Sequence, residues 1–196
     1  KLASRLYTTN MLDAPENIVR RNLFDILSWR LPGAILSHRS GATLRPTEKG
    51  NLYLSYTFTK RIDNIPGIIL NVMEGPKVSS KDIRLGAAEI FASSESRWML
   101  EIMQPARRGK DGESKSLPQS YVEKRLEGMI NAGGEERINA FRDSVRETAS
   151  ELGMMEEFEK LNAIISALLS THDAEVLQSS SGKSRAAGIP IDANRV

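Results

Sequence analysis

Leu52, Leu54, Tyr56 and Phe58 alternate with Tyr53, Ser55, Thr57 and Thr59. A period of two over residues 51–59 predicts a strand with one apolar face, read here as half-buried and antiparallel. No such strand is stable alone, because its apolar face needs a second layer. Lys60-Arg61-Ile62-Asp63-Asn64 reads as the turn that follows, and 68–73 as a returning strand with Ile68, Leu70 and Val72 on one face. A third short strand, around 88–92, leads through Ser93-Ser94 into a helix carrying Trp98, Met99, Ile102 and Met103.

Helices on both sides of this region supply the second layer. Asp13-Ala14-Pro15-Glu16 predicts a helix start, with Asp13 as N-cap and proline in the first turn. Ile18, Val19, Leu23, Ile26 and Leu27 follow at helical spacing, and Pro32-Gly33 ends the run. Beyond Pro105, Arg107 to Lys115 is polar and contains glycine, the composition of a loop. Ser116 and Gln119 form a capping-box pattern ahead of Val122, Leu126, Met129 and Ile130, and Gly133-Gly134 predicts a stop. A second helix presents Ile138, Phe141, Val145, Ala149 and Leu152, and a third Met155, Phe158, Leu161, Ile165 and Leu168. From about Ser179 the chain is rich in Ser, Gly and Ala with no apolar period, as in a linker. The expected fold class is α+β: a small mixed or antiparallel sheet with flanking helices, followed by a three-helix C-terminal region packed on it. The expected boundaries are 1–106, a loop at 107–115, helices over 116–178 and a linker over 179–196.

The 196 residues contain no cysteine, which excludes disulfides and thiolate metal sites and favours a reducing cytoplasm. With only two histidines, no metal site is expected. No apolar run approaches the ~20 residues that span a bilayer. The net charge of +2 conceals an asymmetry: residues 1–110 hold 17 Lys and Arg against 10 Asp and Glu, whereas 111–196 hold 10 against 15. A basic N-terminal part suits weak contact with nucleic acid or docking on an acidic partner, but two ordinarily solvated surfaces of opposite sign account for it more simply. Arg5, Arg20, Arg21, Arg39 and Lys60 are the candidate nucleic-acid contacts.

Signals for chemistry are weak. Ser37 and Ser40 flank His38, which suggests an activated hydroxyl. Adjacent side chains rarely face each other, however, and no glycine turn offers an oxyanion site. His38 and Arg39 are therefore expected to fix a strand-to-helix junction. Gly182-Lys183-Ser184 imitates the end of a phosphate loop, but Leu177 stands where that loop needs glycine. Arg107, Arg108 and Lys110 form a basic loop with no aromatic platform. Glu135-Glu136 and Glu156-Glu157 lie at helix starts, where carboxylates favour the helix dipole. No catalytic residue and no cofactor are assigned.

The run Pro32 to Ala42, with Ser37-His38-Arg39-Ser40 at its centre, resembles the apolar-then-S-H-R-S-A segment of the non-catalytic N-terminal region of Fic-family proteins. The likeness is looser to AbiEi-type antitoxins. Arg5 to Asn10 resembles the end of a wing after a helix-turn-helix, Ile65-Pro66-Gly67 a strand start, and Gly133 to Gly153 a paired-glycine helix link. Leu168 to Thr171 and Arg185 to Asp192 resemble the approach to the Fic fold. Gly41-Ala42 departs from the family's Ala-Leu and is expected to loosen the helix there. The family's His-Pro-Phe start and Gly-Asn-Gly-Arg end are missing, as is its Ser/Thr-x-x-x-Glu-Gly/Asn inhibitory motif. The resemblance implies a non-catalytic regulatory or interaction region whose partner is the parent's own adenylylating Fic domain. Lys1 and Val196 both read as cut ends of a longer chain. The alternative it implies is an AbiEi-like antitoxin or transcription regulator lacking its helix-turn-helix.

Overall fold

The computed structural model describes residues 5–105 and 112–184, without the side chains of 175–184. In chain order the elements are α1 (Pro15–Arg21), α2 (Leu23–Arg30), β1 (Ile35–Leu36), α3 (His38–Thr43), β2 (Asn51–Tyr56), β3 (Lys60–Ile65) and β4 (Ile68–Glu74). They continue with β5 (Ile83–Arg84), β6 (Phe91–Ala92), α4 (Glu95–Met103), α5 (Gln119–Leu152) and α6 (Met155–Ser184). The fold is α+β, with one mixed sheet in the order β3-β4-β2-β1-β6-β5.

β2 lies beside the expected partner, β4, but in parallel and not antiparallel. β2 pairs in parallel with β4, Leu52 opposite Leu70 and Leu54 opposite Val72, and antiparallel with the short β1. This is possible because Lys60 to Ile65 is not a turn but the strand β3, at the sheet edge outside β4. Its exposed Lys60, Arg61 and Asp63 suit an edge, where charge discourages further strand pairing. Leu36, Leu52, Leu54, Leu70 and Val72 then form one apolar face under α1 and α2, closed by Val19, Leu23, Ile26 and Leu27. The other side of β2 is not open to solvent either: Asn51, Tyr53 and Ser55 are buried.

The N-terminal helix is divided. Asn22 leaves helical geometry (φ −111°, ψ 23°), and its Nδ2 donates to the Ile18 carbonyl at 2.8 Å. A side chain that bonds the preceding turn competes with helix continuation. Ala14, not Asp13, occupies the N-cap; the Asp13 carboxylate instead accepts from Asn10 and Arg21.

A second apolar core gathers α4, α5 and α6 around Met99, Leu126, Val145, Phe158, Leu161 and Ile165. The predicted stripes are present, except that Met154 is buried and Met155 is exposed. Pro118 holds the N-cap of α5, so the expected Ser116 cap is not made. The paired glycines end the first helix as expected: Gly134 adopts φ 61°, ψ −158°, a conformation open only to glycine, so α5 is two helices that meet at a kink. α6 continues to Ser184, past the expected linker start at Ser179; 185–196 and 106–111, the latter holding Arg107, Arg108 and Lys110, lie outside the described residues. Lys81 ties the two halves together by donating to Ser144 and Glu147 of α5. No helix among the described residues is long and apolar enough to cross a membrane.

Candidate functional site

The segment Ser37 to Ser40 turns the chain from β1 into α3 and places its four residues in different roles. Ser37 is extended and His38 left-handed (φ 51°), so the reversal takes two residues. Left-handed geometry is costly for a residue with a Cβ. It brings the His38 N–H to Glu101 Oε2 at 2.7 Å. The Ser40 hydroxyl accepts from the Tyr53 N–H at 3.0 Å, where β1 has ended. Gly41 does not loosen α3. A Cβ there would sit 3.0 Å from the Leu36 carbonyl oxygen and 3.0 Å from Ser93 Cβ, so glycine permits close packing.

Ser37 Oγ and His38 Nδ1 do approach, at 3.2 Å, against the expectation for neighbours in sequence. Both residues are buried, at 0% and 5% exposure, and His38 Nε2 meets no hydrogen-bond partner. Burial holds the imidazole below its ordinary pKa; Glu101 pulls the other way. A hydroxyl sealed beneath α3 has no route to a substrate.

Beside this junction lies a buried charge cluster that no sequence motif announced. The Arg97 guanidinium donates from Nε to Glu101 Oε1 (2.9 Å) and from Nη1 to Asp82 Oδ2 (2.7 Å) and the Lys77 carbonyl (2.9 Å). Its Nη2 donates to the Pro76 carbonyl (2.8 Å) and Ser55 Oγ (3.5 Å). The side chains of Arg97 and Asp82 are 0% exposed. Two carboxylates outnumber one guanidinium, and the excess charge is met by N–H groups of Ser79 and Ser94 on Asp82 and of His38 on Glu101. Every donor is used, so the cluster joins sheet to helices and offers nothing to a ligand.

Accessible charge collects elsewhere. A cleft of about 900 Å³ opens between α1, α3 and the loop before β2. Arg20, Arg21, Arg39, Arg45 and Lys49 line it, against the carboxylates of Glu48 and Glu113. Glu113 holds Thr47 Oγ1 at 2.8 Å, Asn51 Nδ2 at 2.6 Å and Arg39 Nη1 at 3.4 Å, which anchors the loop to β2. Arg21 pairs with Asp13 at 2.7 Å. Arg20 and Arg45 are exposed and form no ion pair among the described residues.

Of the five expected contacts, Arg20, Arg21 and Arg39 meet in this cleft. Arg5 and Lys60 are exposed but do not line it. Arg45 and Lys49 were missed; the only local signal was the polar run Arg45 to Lys49 between the junction and β2. A second hollow, of about 720 Å³, lies among Ile102, Met103, Leu117 and Ile164. Comparison of the chain with protein families, curated proteins and solved structures finds no match.

Proposed function

We propose that this chain is a non-catalytic regulatory or interaction region, of the kind that stands before an adenylylating domain in Fic-type proteins, working in the cytoplasm. The observation that supports the reading is the fate of Ser37-His38-Arg39-Ser40. Three of its side chains are sealed into the β1–α3 junction, and only Arg39 reaches an open surface. A charged and concave surface, with the serines and the histidine of the motif sealed away from it, suits recognition better than bond making. Its natural partner on this reading is the parent's own Fic domain. The alternative, a DNA-binding regulator, has less support, because Arg5 and Lys60 do not extend the cleft arginines into a track. Incubation with labelled ATP and candidate target proteins tests the reading. No label transfers if it is right, and transfer that survives repurification sinks it.

A further inference from the structure

We infer that the basic cleft is a binding site for a nucleoside polyphosphate. The lining carries five cations and two carboxylates, and with Arg21 paired to Asp13 at 2.7 Å a formal excess of two positive charges remains. Its cations come from three separate pieces of chain: Arg20 and Arg21 from α1, Arg39 from α3, Arg45 and Lys49 from the following loop. Like charges gathered on facing walls repel one another, and an anion between them relieves that repulsion. Guanidinium groups suit phosphate in particular, since their forked donors match its oxygens two at a time. Arg20 and Arg45 are the two most available for this, having no ion pair among the described residues.

The size and the remaining wall narrow the ligand further. About 900 Å³ lies within the range of small-molecule sites, roughly 300–1,000 Å³. Phe24, Leu44 and Pro46 add apolar surface beside the cations. An inorganic anion would leave that surface unused, whereas a nucleoside covers it with its ring while its phosphates meet the arginines. A nucleic-acid backbone needs cations spaced along a groove, and here they converge on one concavity. Glu113 has a positioning part: it holds Arg39, Thr47 and Asn51 in place at the cleft's edge.

The inference concerns the cleft alone and does not need the regulatory reading. Label transfer would overturn that reading and leave the cleft standing; absence of nucleotide binding would do the reverse. Calorimetric titration of the chain with ATP, AMP, inorganic tripolyphosphate and a short single-stranded oligonucleotide separates the sources of phosphate. The expected result is saturable binding of ATP at one site per chain, weakened at least about tenfold in tripolyphosphate or AMP. The double variant Arg20→Ala/Arg45→Ala should lose at least about tenfold in ATP affinity, as loss of charge-assisted hydrogen bonds does. Arg5→Ala/Lys60→Ala should change it less than about twofold, being outside the cleft. Unchanged thermal midpoints show that both variants fold. No ATP binding, equal affinity for tripolyphosphate, tighter binding of the oligonucleotide, or equal losses in both double variants would each overturn the assignment.

Discussion

Arg97 and the arginines of the cleft show what one residue type does in two settings. Arg97 is closed off from water, and its donors go to two carboxylates, a hydroxyl and two loop carbonyls. Arg20 and Arg45 stand at the surface with no ion pair among the described residues. A buried charge persists only when its partners replace water in full, so a saturated arginine is a structural one. An arginine left with solvent for its partner costs the fold nothing and is available to a ligand. Arg97 is expected to matter for stability and the cleft arginines only for binding.

The largest effect should follow Arg97→Met. It removes the one cation between Asp82 and Glu101 and strands two carboxylates in the interior. Breaking a buried pair in this way costs about 3–5 kcal/mol. Urea denaturation should show that loss as a lower midpoint with an unchanged slope. A loss under ~1 kcal/mol would show that the cluster relaxes or takes in water, and the contrast with the cleft would collapse.

Phe158→Ala sharpens the comparison by removing from the helical core an apolar anchor whose ring is capped on one face by the Arg146 guanidinium at 5.4 Å. Phe158 is 2% exposed and packs with Leu161 and Ile165, so truncation should cost about 3–5 kcal/mol. Glu159, next to it but exposed, should tolerate Ala within ~0.5 kcal/mol. Equal midpoints for the two variants would refute the register of α6.

The two regions were not equally legible in sequence. The helical stripes of α4, α5 and α6 were readable because a 3.6-residue period is local; the Ser94 cap of α4 was not read from the sequence. Strand pairing is not local. Nothing in Asn51 to Tyr56 says that β4 will lie beside it in parallel and not run back antiparallel, and a charged edge strand imitates a turn. The Arg97 cluster was invisible for the same reason: Asp82 and the carbonyls of Pro76 and Lys77 come from 15 to 21 positions away. Charge alone found three cleft residues; the other two needed the fold that carries the Arg45–Lys49 loop to α1.

A smaller, pH-dependent effect belongs to His38, which touches the buried cluster through Glu101. Burial lowers its pKa, with Lys115 and Arg97 acting in the same direction and Glu101 against. The unfolded chain therefore binds the proton more tightly than the folded one. Stability should be complete above the ordinary value of 6.5 and fall as pH drops below it, until the folded group also protonates. The slope cannot exceed about 1.4 kcal/mol per pH unit for one proton. His38→Asn keeps a residue that tolerates left-handed geometry and should flatten the onset of this loss, just below the ordinary value of 6.5. Asp13 and Glu147, whose carboxyls are held down by Asn10 and Lys81 respectively, titrate below that window. An unchanged slope in His38→Asn would move the proton uptake to another group.

The smallest effect should be that of Arg20→Ala/Arg45→Ala on stability, and its smallness is what separates the cleft from the cluster. Both side chains are exposed and neither holds an ion pair among the described residues, so truncation strands no partner. Ala is also a better helix former than Arg at position 20, within α1. Removing two of five cations from facing walls relieves mutual repulsion, worth a few tenths of a kcal/mol at the surface and less in salt. The sum should lie within ~0.5 kcal/mol of the parent, and a small gain in midpoint at low salt is the expected sign. A loss above ~1.5 kcal/mol would mean that these arginines are bonded into the fold as Arg97 is, and their availability to a phosphate ligand would go with it.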